Sequence, residues 1–481
     1  MPVNRAVHGA HASQTKIVAT VGPACDSREK LDELASVGVD VFRLNTAHAT
    51  REQSQARLDD IRHLSDSYGQ PLAVLVDLAG PKIRLGELPD GFLDLDMDAQ
   101  VTFLRSGPIQ GPESLGATYP RLIDELAPGD RVMLADGVVS LLVESKTSDA
   151  ATCRVVQPGR VRSKQGVNLP GVKLSVPALN DGDRDNARWA ARQGVAYLGL
   201  SFVRRPEDIF ELKSLIAEVG SGTQVIAKIE KPEAVARIEE IVAAADGVMV
   251  ARGDLGVEID IAEIARTQKR IIAECRKQRK PVIVATQMLD SMQHSRLPTR
   301  AEVTDVANAI LDGADAVMLS GETAIGEYPR ESVEMMHRIA IATEPLLAQR
   351  PHAPPQFDDD SPELVSEATV YAAGRLAEIV KAKLMVVASA TGRTALAVAE
   401  SRFSVPVVGV SDSGETLRRM CLYWGIHPLP GAPVEHRTPL LSHVTQWGRD
   451  AGLLQTGDKV VLVASESVTG SRHNMLVVHE V

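Results

Sequence analysis

Residues 225–259, VIAKIEKPEAVARIEEIVAAADGVMVARGDLGVEI, contain two apolar runs that each end in charge: Lys228 and Glu230 after the first, Arg252 and Asp254 after the second. An ionised group at the end of a buried run is costly unless it is paired or binds something. One ammonium and two carboxylates gathered at one place suit a divalent metal and a phosphorylated anion. Glu230 and Asp254 are hard oxygen ligands of the kind Mg2+ accepts while water and substrate oxygens fill its other positions. Lys228 lies two residues before Glu230, so strand alternation points both to one face, where the ammonium can stabilise charge moving between a phosphoryl group and an oxygen. Gly253 and Asp254 stand where a strand gives way to a helix start, and free backbone N–H groups there suit a carboxylate. Thr286, at the end of the next run, completes that pocket, and Arg43 offers a planar fork for phosphate.

The elements that must position these groups are short Val/Ile/Leu/Ala-rich runs separated by longer amphipathic stretches. The runs span 16–22, 39–45, 72–80, 195–202, 225–230, 247–254, 281–287 and 314–322. Continuous apolar strands alternating with helical segments predict a parallel sheet covered on both faces, and eight of them predict a (β/α)8 TIM barrel. An open doubly wound sheet is the structural alternative. In a barrel, side chains at the C-terminal strand ends face the catalytic mouth. Those residues are Arg43, Asn45 and His48; Asp77; Lys228 and Glu230; Asp254; Thr286; and Ser320 and Glu322. Any one alone reads better as a strand-end salt bridge or helix cap. Together they would require unrelated structural reasons on strand after strand.

Between the third and fourth runs the pattern changes to alternating apolar and polar residues with Gly, Asp and Pro at the turns, which predicts a small β lid domain inserted at 81–177. It is entered through DLAGPKIRLGEL, where Gly80 and Pro81 make a hinge and Lys82 and Arg84 bring positive charge to the mouth; such cations in a turn are usually solvated, but the strand end of Asp77 beside them puts the functional reading level with that one. The barrel then occupies 15–80 and 178–346, behind a tail of 1–14. A Pro- and Asp-rich linker, 347–361, leads to a C-terminal open α/β domain at 362–481. There, VVASATGRTALAV places Ser389, Thr391, Gly392, Arg393 and Thr394 between a strand and a helix. That is the geometry of a phosphate loop, or of an ordinary helix cap.

Composition narrows the functional classes. The chain has 481 residues, 44% hydrophobic and 24% charged, as large globular enzymes do, and its net charge of −11 argues against nucleic-acid and anionic-membrane partners. Four dispersed cysteines without a Cys-x-x-Cys pattern fit a reducing compartment and supply no thiolate metal site. No apolar run approaches the ~20 residues needed to span a bilayer, and the N-terminus lacks an apolar core, so a cytoplasmic location is expected.

Taken in order, TKIVATVGPA, FRLNTAHA, VDLAGPKIR, GVNLPG, AKIEKPEA, MVARGDLGVE, PVIVATQMLDSM and PTRAEVTDVANAILDGADAVMLSGETAIGEYP resemble the pyruvate kinase family across essentially the whole chain. The resemblance implies transfer of the phosphoryl group of phosphoenolpyruvate to ADP, followed by protonation of enolpyruvate to pyruvate. It implies that Arg43, Lys228, Gly253, Asp254 and Thr286 contact phosphoenolpyruvate, that Glu230 and Asp254 hold Mg2+ or Mn2+, and that Asn45, His48 and Arg84 lie near the nucleotide. Ser320 and Glu322 match a cluster that relays a proton to the enolate, and Asp136 matches a lid residue that meets Arg43 on closure. A homotetramer is implied as well.

Three departures from the family pattern matter. Ala47 and Leu78 replace two oxygen ligands of the monovalent cation, and Lys82 replaces a glutamate, while Asn45 and Asp77 remain; the Lys82 ammonium is therefore expected to stand in for K+, as in the potassium-independent branch. Gln165 replaces a nucleotide-contacting lysine, with Lys164 one place earlier. The C-terminal loop that helps hold a sugar bisphosphate is the short VTGSRHNML, so a phosphorylated effector at 389–394 is expected to be AMP or a sugar monophosphate. Rival readings are a magnesium-dependent aldolase or lyase acting on 2-oxo acids, which needs no hinged insert, and a silent metabolite sensor, which would be expected to lose Lys228, Glu230 or Asp254.

Overall fold

A computed structural model of the chain describes residues 13–105, 114–135, 137–348, 364–464 and 474–481. The eight apolar runs become eight parallel strands because each has aliphatic residues on both faces and so must be covered on both. They are β1 (Lys16–Val21), β2 (Val41–Asn45), β3 (Ala73–Asp77), β4 (Tyr197–Leu200), β5 (Gln224–Ile229), β6 (Gly247–Ala251), β7 (Val282–Ala285) and β8 (Ala316–Leu319). Pairing runs in chain order and closes through β8 against β1, with Lys16 opposite Ala316. This closed barrel excludes the open-sheet alternative.

Outward-facing strand residues such as Ile17, Phe42 and Val225 pack under the surrounding helices. The helix Ile264–Lys277 shows why those helices dock: Thr267, Gln268, Ile271, Ile272 and Cys275 recur at three- and four-residue spacing and are buried. Inward-facing Val18, Val41, Leu75, Ile226, Met249, Ile283 and Met318 fill the barrel, and their cluster continues into Met385, Leu417 and Tyr423 of the C-terminal part of the chain. With its interior packed, the barrel has its chemistry at the strand ends.

The segment between β3 and β4 makes its own sheets. Phe92–Leu95 pairs antiparallel with Gly159–Arg162, and a six-stranded, mostly antiparallel sheet surrounds a core of Val101, Phe103, Leu134, Leu141 and Val155. At its entry, Gly80 has φ +68°, and a Cβ there would meet Cδ2 of Phe202 at 2.7 Å, so only glycine fits. The cap of the helix Asp181–Arg192 pins this hinge: Gly80 N–H donates to Oδ1 of Asp183 (3.3 Å), and Nδ2 of Asn180 donates to Gly80 O (3.3 Å).

The C-terminal sheet comprises β9 (Leu384–Ala388), β10 (Val407–Val410), β11 (Ile426–Leu429), β12 (Lys459–Ala464) and β13 (Met475–Glu480), in the order β11-β10-β9-β12-β13 with only the last strand antiparallel. Asp136, the linker from 349 to 361 and most of VTGSRHNML (residues 468–473) lie outside the described residues. Among the described residues, no helix is long and apolar enough to cross a membrane. The four cysteines are buried and unbridged, and burial pushes the Cys25 thiol up to about 11 and the Cys153 thiol up to about 12.

Candidate active site

β2, β3 and β5 bring four charged side chains into one buried cluster. Arg43 donates from Nε and Nη2 to Oδ2 of Asp77, at 2.8 and 2.6 Å, and from Nη1 to Oγ1 of Thr20 at 3.1 Å. Nζ of Lys228 stands 3.3 Å from Oδ1 of Asp77 and 2.8 Å from Oε1 of Glu230, and donates to Oγ of Ser201 at 2.7 Å. The Ser201 hydroxyl in turn donates a hydrogen bond to the Leu78 carbonyl. Phe202 N–H donates to Oε2 of Glu230 at 2.9 Å. Asp77 and Glu230 are each only 1% exposed, so these contacts act with little solvent screening.

Electrostatics follow from that burial. Burial pulls the Lys228 pKa down, but Asp77 and Glu230 outweigh it and hold the ammonium above the ordinary lysine value. Burial raises Asp77, yet Lys228 and Arg43 more than reverse this, keeping it an anion. Burial also raises Glu230; Lys228 opposes the rise, Asp254 adds to it, and the net shift is upward. Glu230 is thus a carboxylate short of positive charge.

Asp254 sits in the first turn of the helix Arg252–Glu258, which starts directly after β6. β5 and β6 are neighbours with Ile229 opposite Val250, so Glu230 and Asp254 emerge side by side. Two carboxylate donors are the hard oxygen ligands that Mg2+ or Mn2+ accepts.

Thr286 follows β7 with φ +69°, an outlying conformation for a β-branched residue, and Gln287 continues it at φ +54°. Arg252 holds this turn: it donates to the Ala285 and Thr286 carbonyls at 3.3 and 2.8 Å and pairs with Asp305 at 2.7 Å. The turn places Oγ1 of Thr286 to accept Gly253 N–H at 2.6 Å and to donate to Ala285 O at 2.6 Å. The N–H expected to hold a carboxylate is therefore engaged with the threonine.

On the next strand, Oγ of Ser320 is buried with no hydrogen-bond partner among the described residues. Both Glu322 oxygens accept backbone N–H groups, from Leu289 at 3.0 Å and Ser320 at 2.7 Å, while burial raises its pKa. Glu322 thus organises the two loops beside Thr286.

The expected nucleotide residues gather on the other side of the mouth. His48 is pushed toward its neutral form first by burial, then by Lys82, Arg84 and Arg43. Oδ1 of Asn45 accepts Ala47 N–H, and Arg84 donates to the Lys164 carbonyl at 3.1 Å. Lys82 is exposed and has no carboxylate at ion-pair distance among the described residues. Asp77 turns both oxygens to Arg43 and Lys228 and is not its counter-ion. Neither lid candidate is uncommitted: Nζ of Lys164 pairs with Glu87 at 2.7 Å, and Oε1 of Gln165 accepts Arg162 N–H at 2.6 Å. In the C-terminal loop, Gly392 has φ +86° and donates its N–H to Oγ of Ser389 at 3.1 Å, just before the helix Arg393–Glu400.

Sequence reading did not single out Thr20, Ser201, Phe202 or the structural use of Arg252. Ser201 ends an apolar run as the other candidates do, so its signal was present; Thr20 lies inside β1, Phe202 acts through its backbone N–H and Arg252 on backbone carbonyls, none of which composition reveals.

Comparisons with known proteins agree with this fold. A model described as pyruvate kinase, barrel domain, matches residues 12–333, and one described as pyruvate kinase, alpha/beta domain, matches 367–479. Similar proteins include the pyruvate kinases of Geobacillus stearothermophilus, 40% identical over 471 residues, and of Staphylococcus saprophyticus, 38% identical over 475. That of Staphylococcus aureus strain MRSA252 is 36% identical over 475 residues. Each alignment covers 97% of this chain and 80% of the relative.

Proposed function

We infer how the site works from one premise: the chain belongs to the pyruvate kinase family. Its reaction is phosphoryl transfer from phosphoenolpyruvate to ADP, giving pyruvate and ATP, and the family requires a divalent cation and usually K+. The residue roles are our reading. Arg43 has two of its three nitrogens tied to Asp77 and the third to Thr20, which fixes the guanidinium plane while its remaining N–H bonds face the phosphoryl oxygens. Lys228 is held charged and aimed by Asp77, Glu230 and Ser201, so its ammonium meets the negative charge that develops as the P–O bond to the enolate breaks. Glu230 and Asp254 would hold Mg2+ or Mn2+, which when bound would supply positive charge against the transferring phosphoryl group. Gly253 and Thr286 exchange their mutual hydrogen bond for the substrate carboxylate. The unpartnered Ser320 hydroxyl, with Thr286, passes a solvent proton to the enolate carbon, and Glu322 holds their loops in place.

Asn45, His48 and Arg84 face the ADP phosphates. Residues 81–177 act as the lid, with 15–80 and 178–346 as the catalytic barrel and 362–481 as the effector domain after the linker 347–361. Lys82 supplies the charge that K+ supplies elsewhere: Ala47 and Leu78 offer no side-chain oxygens, and the ammonium is uncommitted among the described residues. A tethered cation orients two polyanions without an ion having to be bound first. The loop Ser389–Thr394 takes a monophosphate, AMP or a sugar monophosphate, in a homotetrameric cytoplasmic enzyme. Activation by a sugar bisphosphate alone would refute that effector class.

The observation that carries the reading is the two-carboxylate clamp on Lys228. Replacing Lys228 with Met should lower kcat about a thousandfold, about 4 kcal/mol of transition-state stabilisation, while phosphoenolpyruvate still binds. A loss below about tenfold would remove Lys228 from the chemistry.

A further inference from the structure

The carboxylates assigned to the divalent cation sit on separate carriers, Glu230 just past β5 and Asp254 in the first turn of the helix Arg252–Glu258. A buried ion pair joins those carriers. Lys231 directly follows Glu230, Glu258 lies one helical turn beyond Asp254, and Nζ of Lys231 stands 2.6 Å from Oε1 of Glu258. Both residues are only 7% exposed. The same Glu258 oxygen accepts Nδ2 of Asn168, at 3.4 Å, from the inserted domain. The Lys231 ammonium also rests 5.3 Å from the centroid of the Phe202 ring, and Phe202 N–H is the donor to Glu230.

Stability alone does not account for this pair, because two charges are costly to desolvate and an apolar pair of the same volume often does as well. What it adds is direction: one fixed length between the backbone of one metal carboxylate and that of the other.

We propose that Lys231 and Glu258 are a positioning pair that sets the separation of Glu230 and Asp254 for the divalent cation and, through Asn168, ties the lid to that separation. The proposal rests on the metal reading above. Groups that orient metal-bearing carboxylates typically change metal affinity ten- to a hundredfold when removed.

The test is Mn2+ binding to the full-length protein without substrates, measured from the electron paramagnetic resonance signal of free Mn2+. The double variant K231M/E258L leaves net charge unchanged and strands no buried charge, which favours folding. Its Mn2+ dissociation constant should rise about tenfold or more, while K231R, which can still reach Glu258, stays within about threefold. In turnover, the half-saturating metal concentration should rise more than kcat falls. E230Q, run alongside, should abolish Mn2+ binding. If E230Q binds like the parent, the metal reading itself fails. If E230Q loses Mn2+ while K231M/E258L binds like the parent, the positioning pair is refuted and the metal site stands. Should circular dichroism show the double variant unfolded, E258Q is judged by the same thresholds.

Discussion

Replacing Asp77 with Asn removes one of the two anions that keep Lys228 charged. Asp77 accepts two hydrogen bonds from Arg43 and stands 3.3 Å from the Lys228 ammonium, almost wholly buried. At an effective dielectric of about 20, a unit charge pair at that distance attracts by roughly 5 kcal/mol, an upper bound on what Asp77 contributes to the Lys228 ammonium. Asparagine still accepts a hydrogen bond, so part of that attraction is kept and the Lys228 pKa falls. The sign is fixed: burial pulls the ammonium down, Asp77 and Glu230 push it up, and one of the two is gone. Lys228 therefore becomes neutral as pH rises through the lowered value, and activity goes with it. The assay is kcat/KM for phosphoenolpyruvate from neutral to alkaline pH, for parent and variant, after circular dichroism confirms folding. An alkaline limb should appear or move to lower pH in the variant, with KM for phosphoenolpyruvate raised because Arg43 has lost its anchor. A profile superimposable on the parent, with kcat/KM unchanged, would refute the reasoning.

Other predictions follow from the hinge and the mouth. Replacing Lys82 with Glu puts a carboxylate where the tethered cation stands and should cut the K+-free rate at least about a hundredfold; an unchanged rate would count against Lys82. K+ should restore little of it, because Ala47 and Leu78 supply no side-chain ligands. Gly80→Ala adds a Cβ at φ +68° against the Phe202 ring, costing about 1–2 kcal/mol in backbone strain and displacing the residue whose N–H holds Glu230. It should lower the thermal midpoint and raise the half-saturating Mg2+ concentration, and a variant indistinguishable from the parent in both would remove the hinge from the account of the metal site.

The barrel was legible because its strands are buried on both faces and appear as continuous apolar runs, and the mouth was legible because charges interrupt those runs at one end. Arg43, Lys228, Glu230, Asp254 and Thr286 all belong to strand ends or the turns directly after them. What stayed hidden was partnership. Asp77 was legible as a strand-end carboxylate, but not that its oxygens serve Arg43 and Lys228, a choice made by side-chain direction across β2, β3 and β5. Glu322 read as part of a proton relay, and its oxygens hold backbone N–H groups of two loops. Lys231 and Glu258 are separated by 27 residues and meet only because adjacent strands deliver them to one place.

The most direct measurement is the initial rate of pyruvate formation from phosphoenolpyruvate, ADP and Mg2+, with all K+ replaced by a bulky organic cation and then restored. Full rate without K+ is the expected result, since it requires both phosphoryl transfer and a built-in cation at the mouth. A rate that appears only with K+ would contradict the role given to Lys82, and no rate in either buffer would contradict the site as a whole.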